Sequence, residues 1–244
     1  MINQLLSTDD FVIHISNEIA HQNGLLKLYK VDFDPDEFIS SLKKFNMEVI
    51  SSSDGLVSKV IEREKKDDLS QTTTNFDWHT DGLYYDRIPD YVILFCNHPG
   101  RGKTPTIFSD TRDVKRNLLD VSSWQTLKKL VLNYISKTGK VYQKPLLNKH
   151  PIGNQSVVQL GSRVYIGSQL DINLGNVPTC REINTAVQDL YQALDNNICL
   201  RHFWSKNDIV IFDNRTYLHA RIAESIDRSR ELLRLWIRTN NVEK

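Results

Sequence analysis

Apolar residues recur along this chain with two spacings, and each predicts a different element. Short alternating or continuous apolar runs predict strands at residues 24–31, 47–51, 91–96, 104–108, 208–213 and 231–239. The run Tyr91-Val-Ile-Leu-Phe-Cys96 shows no polar alternation, so it predicts a strand covered on both faces. Gly153-Asn154, between 146–151 and 156–160, predicts a hairpin, and 97–102 reads as turn. Helical spacing predicts a lead-in over 1–23, a mainly helical stretch over 113–132, and a helix over 179–196 with Ile183, Val187, Leu190 and Leu194 on one face. A further helix starts at Asp34, which suits an N-cap because Pro35, Asp36 and Glu37 follow it, and its apolar face is Phe38, Leu42 and Phe45. Residues 51–74 are polar and unevenly charged, which predicts a solvated segment and, because it leads directly into residue 79, a mobile flap over a site there. With no repeats and no linker, many short strands and few helices predict one mainly β domain over 1–244, an antiparallel sandwich or barrel with helical buttresses.

Composition narrows the partners. A net charge of +1 over 244 residues gives no reason to expect nucleic acid or an anionic membrane. Forty per cent hydrophobic and 25% charged residues are ordinary for a water-soluble domain, and no apolar run reaches the roughly 18 residues of a membrane span. The first ten residues lack the basic start and apolar core of a secretory signal. Three cysteines without a CxxC pair fit a reduced, cytoplasmic protein, with Cys96 expected to be a buried thiol.

The candidate chemistry lies in Asn75-Phe-Asp-Trp-His79-Thr-Asp81-Gly-Leu-Tyr84. On an extended strand His79 and Asp81 point to one face, so an imidazole and a carboxylate can grip one metal ion together. A second histidine from elsewhere completes a 2-His-1-carboxylate triad, whose opposite face stays open for a cosubstrate and O2. Of the seven histidines, His219 fits best, because the strand over 208–213 leads to it, 140 positions after His79. Farther on, a strand over 231–239 places Arg230, Arg234 and Arg238 on one face with Leu232 and Trp236. A guanidinium buried near a metal site needs an anion, and its planar fork matches a carboxylate, so Arg230 predicts a bound dicarboxylate. Alternatively, Arg230 and Arg234 are surface residues paired with Glu224 or Asp227. His14, His21, His98, His150 and His202 are expected to be structural or surface residues.

Trp78-His-Thr-Asp81, Gly102-Lys-Thr104, Asp213-Asn-Arg215 with His219, and Arg230-Glu-Leu-Leu-Arg234 together resemble the taurine dioxygenase (TauD/TfdA-like) family of Fe(II)/2-oxoglutarate-dependent oxygenases. Similarity runs from about Gly24 to Arg238 and includes Lys149-His-Pro-Ile-Gly153. The resemblance implies a double-stranded β-helix (jelly roll) core. It implies Fe(II) held by His79, Asp81 and His219, and 2-oxoglutarate held by Thr104 and Arg230. It also implies substrate contacts from Asn75 and Arg234. By residue type, Tyr84, Tyr85 and Trp78 are either packing for the substrate's carbon frame or plain core. Asp213 and Arg215 would support the His219 loop. The reaction implied is oxidation of an unactivated C–H bond of a small polar substrate, an amino acid or organic acid, with O2 consumed and 2-oxoglutarate converted to succinate and CO2. Hydroxylation is the expected outcome, with desaturation, cyclisation and epoxidation as alternatives. Two departures stand out: the family's Gly-Gly-Asp/Glu-Thr reads Arg101-Gly-Lys-Thr104, and the chain is short, implying a smaller lid. Because Asp81 is present, halogenation is not expected. Two other classes compete. A non-catalytic jelly-roll binding module would leave Arg230 without an anion, and a zinc hydrolase on the same three ligands would have no use for it. A homo-oligomer is compatible with all of these readings.

Overall fold

The structure is a computed structural model that describes residues 5–21, 24–52, 54–61, 76–101, 104–136, 138–161, 170–171, 179–222 and 229–239. Its first elements are β1 (Leu6–Ser7), α1 (Thr8–His21), β2 (Leu26–Asp32), α2 (Pro35–Leu42), β3 (Met47–Ile50), β4 (Val57–Ile61), β5 (Phe76–His79), β6 (Tyr91–Pro99) and β7 (Thr106–Asp110). Then follow α3 (Val114–Asn117), α4 (Val121–Leu127), β8 (Val131–Ile135), β9 (Val141–Pro145), β10 (Leu147–Lys149), β11 (Ser156–Val158) and β12 (Leu170–Asp171). The chain closes with α5 (Cys180–Asn196), β13 (Ile198–His202), β14 (Asp208–Asp213), β15 (Tyr217–Arg221) and β16 (Arg230–Thr239).

Seven strands form one sheet, six in the order β1-β2-β14-β6-β16-β3 and the seventh, β4, paired with β16. The ten-residue β16 is long enough to pair along one edge with β4 through Glu231–Leu235 and then with β3 through Trp236–Thr239. A second, four-stranded sheet runs β13-β7-β15-β5, antiparallel throughout. Side-chain alternation settles how these layers stack. Val92, Leu94 and Cys96 of β6, Val210 and Phe212 of β14, and Leu232 and Trp236 of β16 pack with Phe108 and Tyr217 of the smaller sheet. The alternate residues, among them Tyr91, Ile93, Ile211 and Leu235, pack instead on Phe11 and Ile15 of α1 and Phe38 and Leu42 of α2. The far side of the smaller sheet, with Trp78, Ile107 and Leu218, is covered by Ile183, Val187, Leu190 and Leu194 of α5. This is why the run at 91–96 carries no polar alternation: both faces of β6 are buried, each such side chain contributing about 1.5–3 kcal/mol. The result is a mainly β fold in which these two sheets face each other with helices on both outer faces, the double-stranded β-helix arrangement the resemblance implied. Two smaller sheets, β12-β8-β9 and β10-β11, add Leu132, Tyr134 and Val158 to the core on the α5 side.

The caps work as their residue types predict. The Asp34 side chain accepts from the backbone N–H groups of Asp36 and Glu37, both at 2.9 Å. Thr179 and Glu182 form a reciprocal capping box on α5. At 153–154 the hairpin turns through Gly153 and Asn154, both with positive φ.

Several expectations need correction. Phe45 is 39% exposed, because the helix tightens into a 3-10 turn after Leu42 and Asn46 reverses at φ 57°. Residues 113–132 hold two short helices, not one helical stretch. Asp189 of α5 accepts from the N–H groups of Leu119 and Asp120 at 2.7 and 3.1 Å, Asp120 then caps α4, and strand β8 begins at Val131. The strand predicted over 104–108 runs instead from Thr106 to Asp110, and β6 continues to Pro99 before the turn at Gly100. In the proposed flap, Val57–Ile61 is a sheet strand paired with β16, and residues 62–75 lie outside the described residues.

Candidate metal centre

His79 ends β5 and His219 sits mid-way along β15, where the two are direct cross-strand partners. Their rings lie 4.0 Å apart between centroids. The 140-residue separation is thus closed by one antiparallel pairing. On β15, Tyr217, His219 and Arg221 point between the two sheets while Leu218 and Ala220 face α5. The β5 register slips by one residue between the pairs His219↔His79 and Arg221↔Phe76. Such a bulge re-aims side chains, and it brings Phe76 onto His79 at 3.9 Å, although the two are three residues apart.

Asp81 is not on the strand. β5 ends at His79, and Asp81 lies in the turn that follows, so strand alternation does not orient it. The Asn214 amide does so instead. Its Oδ1 accepts from the Asp81 N–H at 2.9 Å, and its Nδ2 donates to the Asp81 and Pro89 carbonyls at 3.0 Å each. Gly82 completes the turn at φ +77°, and a Cβ there would lie 2.5 Å from Pro89 Cδ. The outcome is a buried cluster in which one ligand atom each from His79, Asp81 and His219 lie within 4.8 Å of one another.

The protonation states suit a cation. His79 Nδ1–H donates to the Asp77 carbonyl at 2.8 Å, which leaves Nε2 as the lone-pair atom, 3.9 Å from Asp81 Oδ1. Burial pushes the His79 imidazole below its usual 6.5, and the Asp81 carboxylate only partly offsets this. Burial, reinforced by His79, holds His219 well below the usual value. Burial alone would raise Asp81, but the Arg234 guanidinium, both imidazoles and the Trp236 N–H outweigh it, so the carboxyl sits below its usual range. Two neutral imidazoles and an ionised carboxylate form a donor set for a divalent transition metal.

His79, His219, Arg221, Arg230 and Arg234 line a cavity of about 40 Å3 between the sheets, together with Phe76, Leu94 and Thr106. Arg230 is 3% exposed and donates to the Thr104 carbonyl at 3.0 Å. Arg234 is also buried and donates to Asp81 Oδ1 at 3.1 Å. Neither arginine is on the surface. The buried polar atoms here with no hydrogen-bond partner among the described residues include His79 Nε2, His219 Nδ1 and Thr104 Oγ1. Such atoms are costly unless something is bound, and a metal at the imidazoles and a carboxylate at the threonine would satisfy that need.

Tyr84 packs edge-to-face with Tyr134 at 5.9 Å, on the α5 side of the smaller sheet and away from the cavity-lining residues. Asn75, Gly102 and Lys103, like Glu224 and Asp227, lie outside the described residues. His150 is buried against Asp213 at 2.8 Å and His202 against Asp208 at 3.1 Å, while His14 and His98 are exposed. Asp213 also accepts from Arg215 Nε at 3.0 Å, so both residues brace the turn leading to His219. Three contributors were not singled out from the sequence: Asn214, Arg221 and Trp236. For Arg221 a signal existed, since it stands two positions from His219 on a strand and so shares its face. Trp236 carried the same strand signal, sharing a face with Arg234, but its partner Asp81 is remote in the chain, and Asn214 carries no local signal.

A family model described as "Taurine catabolism dioxygenase TauD, TfdA family" matches residues 2–236. The 3-((Z)-2-isocyanoethenyl)-1H-indole synthase of Fischerella ambigua is 26% identical over 75% of this chain and 70% of its own length. The tyrosine isonitrile desaturase of Erwinia amylovora is 21% identical over 75% of this chain and 66% of its own. Among solved structures, PvcB of Pseudomonas aeruginosa superposes with a TM-score of 0.70 at 21% identity, covering 95% of this chain and 81% of that one. A further PvcB structure describes that protein as an iron, α-ketoglutarate-dependent oxygenase from an isonitrile synthetic pathway.

Proposed function

This chain belongs to the TauD/TfdA dioxygenase family, and from that premise we propose that it is an Fe(II)- and 2-oxoglutarate-dependent oxygenase of a small, amino-acid-derived substrate. The observation that carries the reading is the convergence of His79, Asp81 and His219 beside a cavity lined by buried arginines. In this reading the three ligands hold iron, Arg230 pairs with the distal carboxylate of 2-oxoglutarate, and the Thr104 hydroxyl donates to it. Bound there, iron supplies the oxidising chemistry that couples O2 and 2-oxoglutarate decarboxylation, giving succinate and CO2, to oxidation of a substrate C–H bond. The chain's own residues supply position and dryness. His79 is held in one tautomer by Asp77, Asp81 is pinned by Asn214, and the Phe76 ring shields His79 from water. Arg234 and Arg221 give the cavity further positive charge, which suits a substrate carboxylate. Tyr84 remains in the packing against Tyr134.

Hydroxylation is the outcome expected from the sequence. Desaturation is the second reading. It is favoured by the desaturase activity of the Erwinia relative on a tyrosine isonitrile and by the isocyanoethenyl-indole product of the Fischerella relative, with an amino-acid-derived isonitrile as the substrate class. One assay separates the cases. Succinate release from 2-oxoglutarate with Fe(II) and ascorbate is measured against amino acids and their N-isonitriles, with mass spectrometry of each product. Gain of one oxygen marks hydroxylation or epoxidation and loss of two hydrogens marks desaturation or ring closure, and NMR of the product tells the members of each pair apart. A zinc hydrolase or a binding module would release no succinate with any substrate, and that result would overturn the proposal.

A further inference from the structure

The two oxygens of Asp81 have different surroundings. Oδ1 faces His79 Nε2 at 3.9 Å and accepts from Arg234, whereas Oδ2 accepts from the indole Nε1–H of Trp236 at 3.1 Å. Trp236 has little freedom to move. It is 6% exposed, its ring lies edge-on to Tyr85 at 5.4 Å, and the Arg234 guanidinium stands 5.1 Å above it. Its backbone is paired on one side with Val92 of β6 and on the other with Ile50 of β3. The indole N–H donates only and does not titrate, so it holds one carboxylate oxygen at any working pH without adding charge.

We propose that Trp236 is a positioning residue for the metal centre: its N–H holds Oδ2 aside, so that Asp81 presents only Oδ1 to the space between the two imidazoles. The inference rests on the assignment of His79, Asp81 and His219 as metal ligands and goes a step beyond it. A carboxylate free at both oxygens can turn both toward an ion, filling a position the cosubstrate needs. A donor fixed on a neighbouring strand prevents that rotation. Partners that orient metal ligands in this way are commonly worth about 10–100-fold in metal affinity.

The test titrates metal-free full-length protein with Co(II) and follows the visible absorption bands, whose intensity and position report the ligand arrangement independently of turnover. Trp236→Phe keeps the ring's bulk and removes the N–H. Site-specific replacement of Trp236 by its benzothienyl isostere, with sulfur in place of N–H, provides the same deletion without a change in shape if the phenylalanine variant folds poorly. The expected result for both is about 10–100-fold weaker Co(II) binding with an altered spectrum. Tyr85→Leu loosens the packing but leaves the N–H in place, and it is expected to stay within about twofold of wild type in both readouts. Wild-type affinity and spectrum in both Trp236 variants would overturn the inference while leaving the ligand assignment intact. If Asp81→Ala binds Co(II) as wild type does, the ligand assignment fails and this inference falls with it.

Discussion

Replacing Asn214 removes a side chain that touches neither metal nor substrate in this reading, yet its loss should reach both the fold and the site. Asn214 is 1% exposed, and its amide makes three hydrogen bonds: one accepted from the Asp81 N–H and two donated, to the Asp81 and Pro89 carbonyls. Leaving a buried polar group unsatisfied costs about 1–3 kcal/mol. Allowing for non-additivity and partial relaxation, Asn214→Ala should destabilise by about 3–5 kcal/mol, a large share of the ~5–15 kcal/mol typical of a folded domain. Asn214→Asp sharpens the argument. It preserves shape and the acceptor for the Asp81 N–H, but it removes both donors and turns a carboxylate oxygen against the Asp81 and Pro89 carbonyl oxygens. It should therefore be about as harmful as alanine, although it conserves volume. Urea unfolding at neutral pH, with an unchanged denaturant slope, measures both effects, and Co(II) titration of the surviving folded protein should show weakened binding. Stability of the aspartate variant within about 0.5 kcal/mol of wild type, with metal affinity retained, would refute the claim that this amide fixes the Asp81 turn.

His79→Ala, Asp81→Ala and His219→Ala are each expected to abolish succinate formation while leaving a folded protein, checked by circular dichroism and by the turnover assay. Arg230→Ala should chiefly raise the 2-oxoglutarate requirement, by about 30-fold or more if a charge-assisted pair worth at least ~2 kcal/mol is lost, read as KM against kcat in steady-state kinetics. Stability without metal should fall on acidification. Burial depresses His79, His202 and His219 below the usual 6.5, so the unfolded chain takes up protons before the folded one does. The stability these residues contribute is present above pH 6.5 and is lost as pH falls below it, by up to ~4 kcal/mol per pH unit if all three act together. Urea unfolding in the presence of a chelator between pH 7.5 and 5 measures this slope, and a flat profile would count against the buried neutral imidazoles.

Legibility followed the range of the interaction. Asp34 could be placed as a cap because its partners, the N–H groups of Asp36 and Glu37, lie two and three positions away. The double burial of Tyr91–Pro99 through Cys96 was legible because it is written as an uninterrupted apolar run. In the site, His79, Asp81 and His219 were recognisable from residue type, spacing and their resemblance to a known family. The strand geometry expected around Asp81 does not hold, because β5 ends at His79 and the chain turns there. The break between α3 and α4 was invisible because it depends on Asp189, about 70 residues farther along.

The amino-acid sequence by itself determined the periodicities, the caps, the hairpin at Gly153-Asn154 and the kinds of side chain available to bind an anion or a metal. All of these follow from neighbours within a few residues, whose interactions exist in any conformation that brings the local chain together. Only the tertiary structure decided that His79 faces His219 across one register, that a bulge turns Phe76 onto that pair, and that the Asp81 turn is held by an amide 133 positions away. It likewise decided that Trp236 meets the other Asp81 oxygen across 155 positions. Contacts at that distance form only once both sheets have closed, since the entropy of bringing such remote segments together is recovered by the assembled core and not by the contact itself.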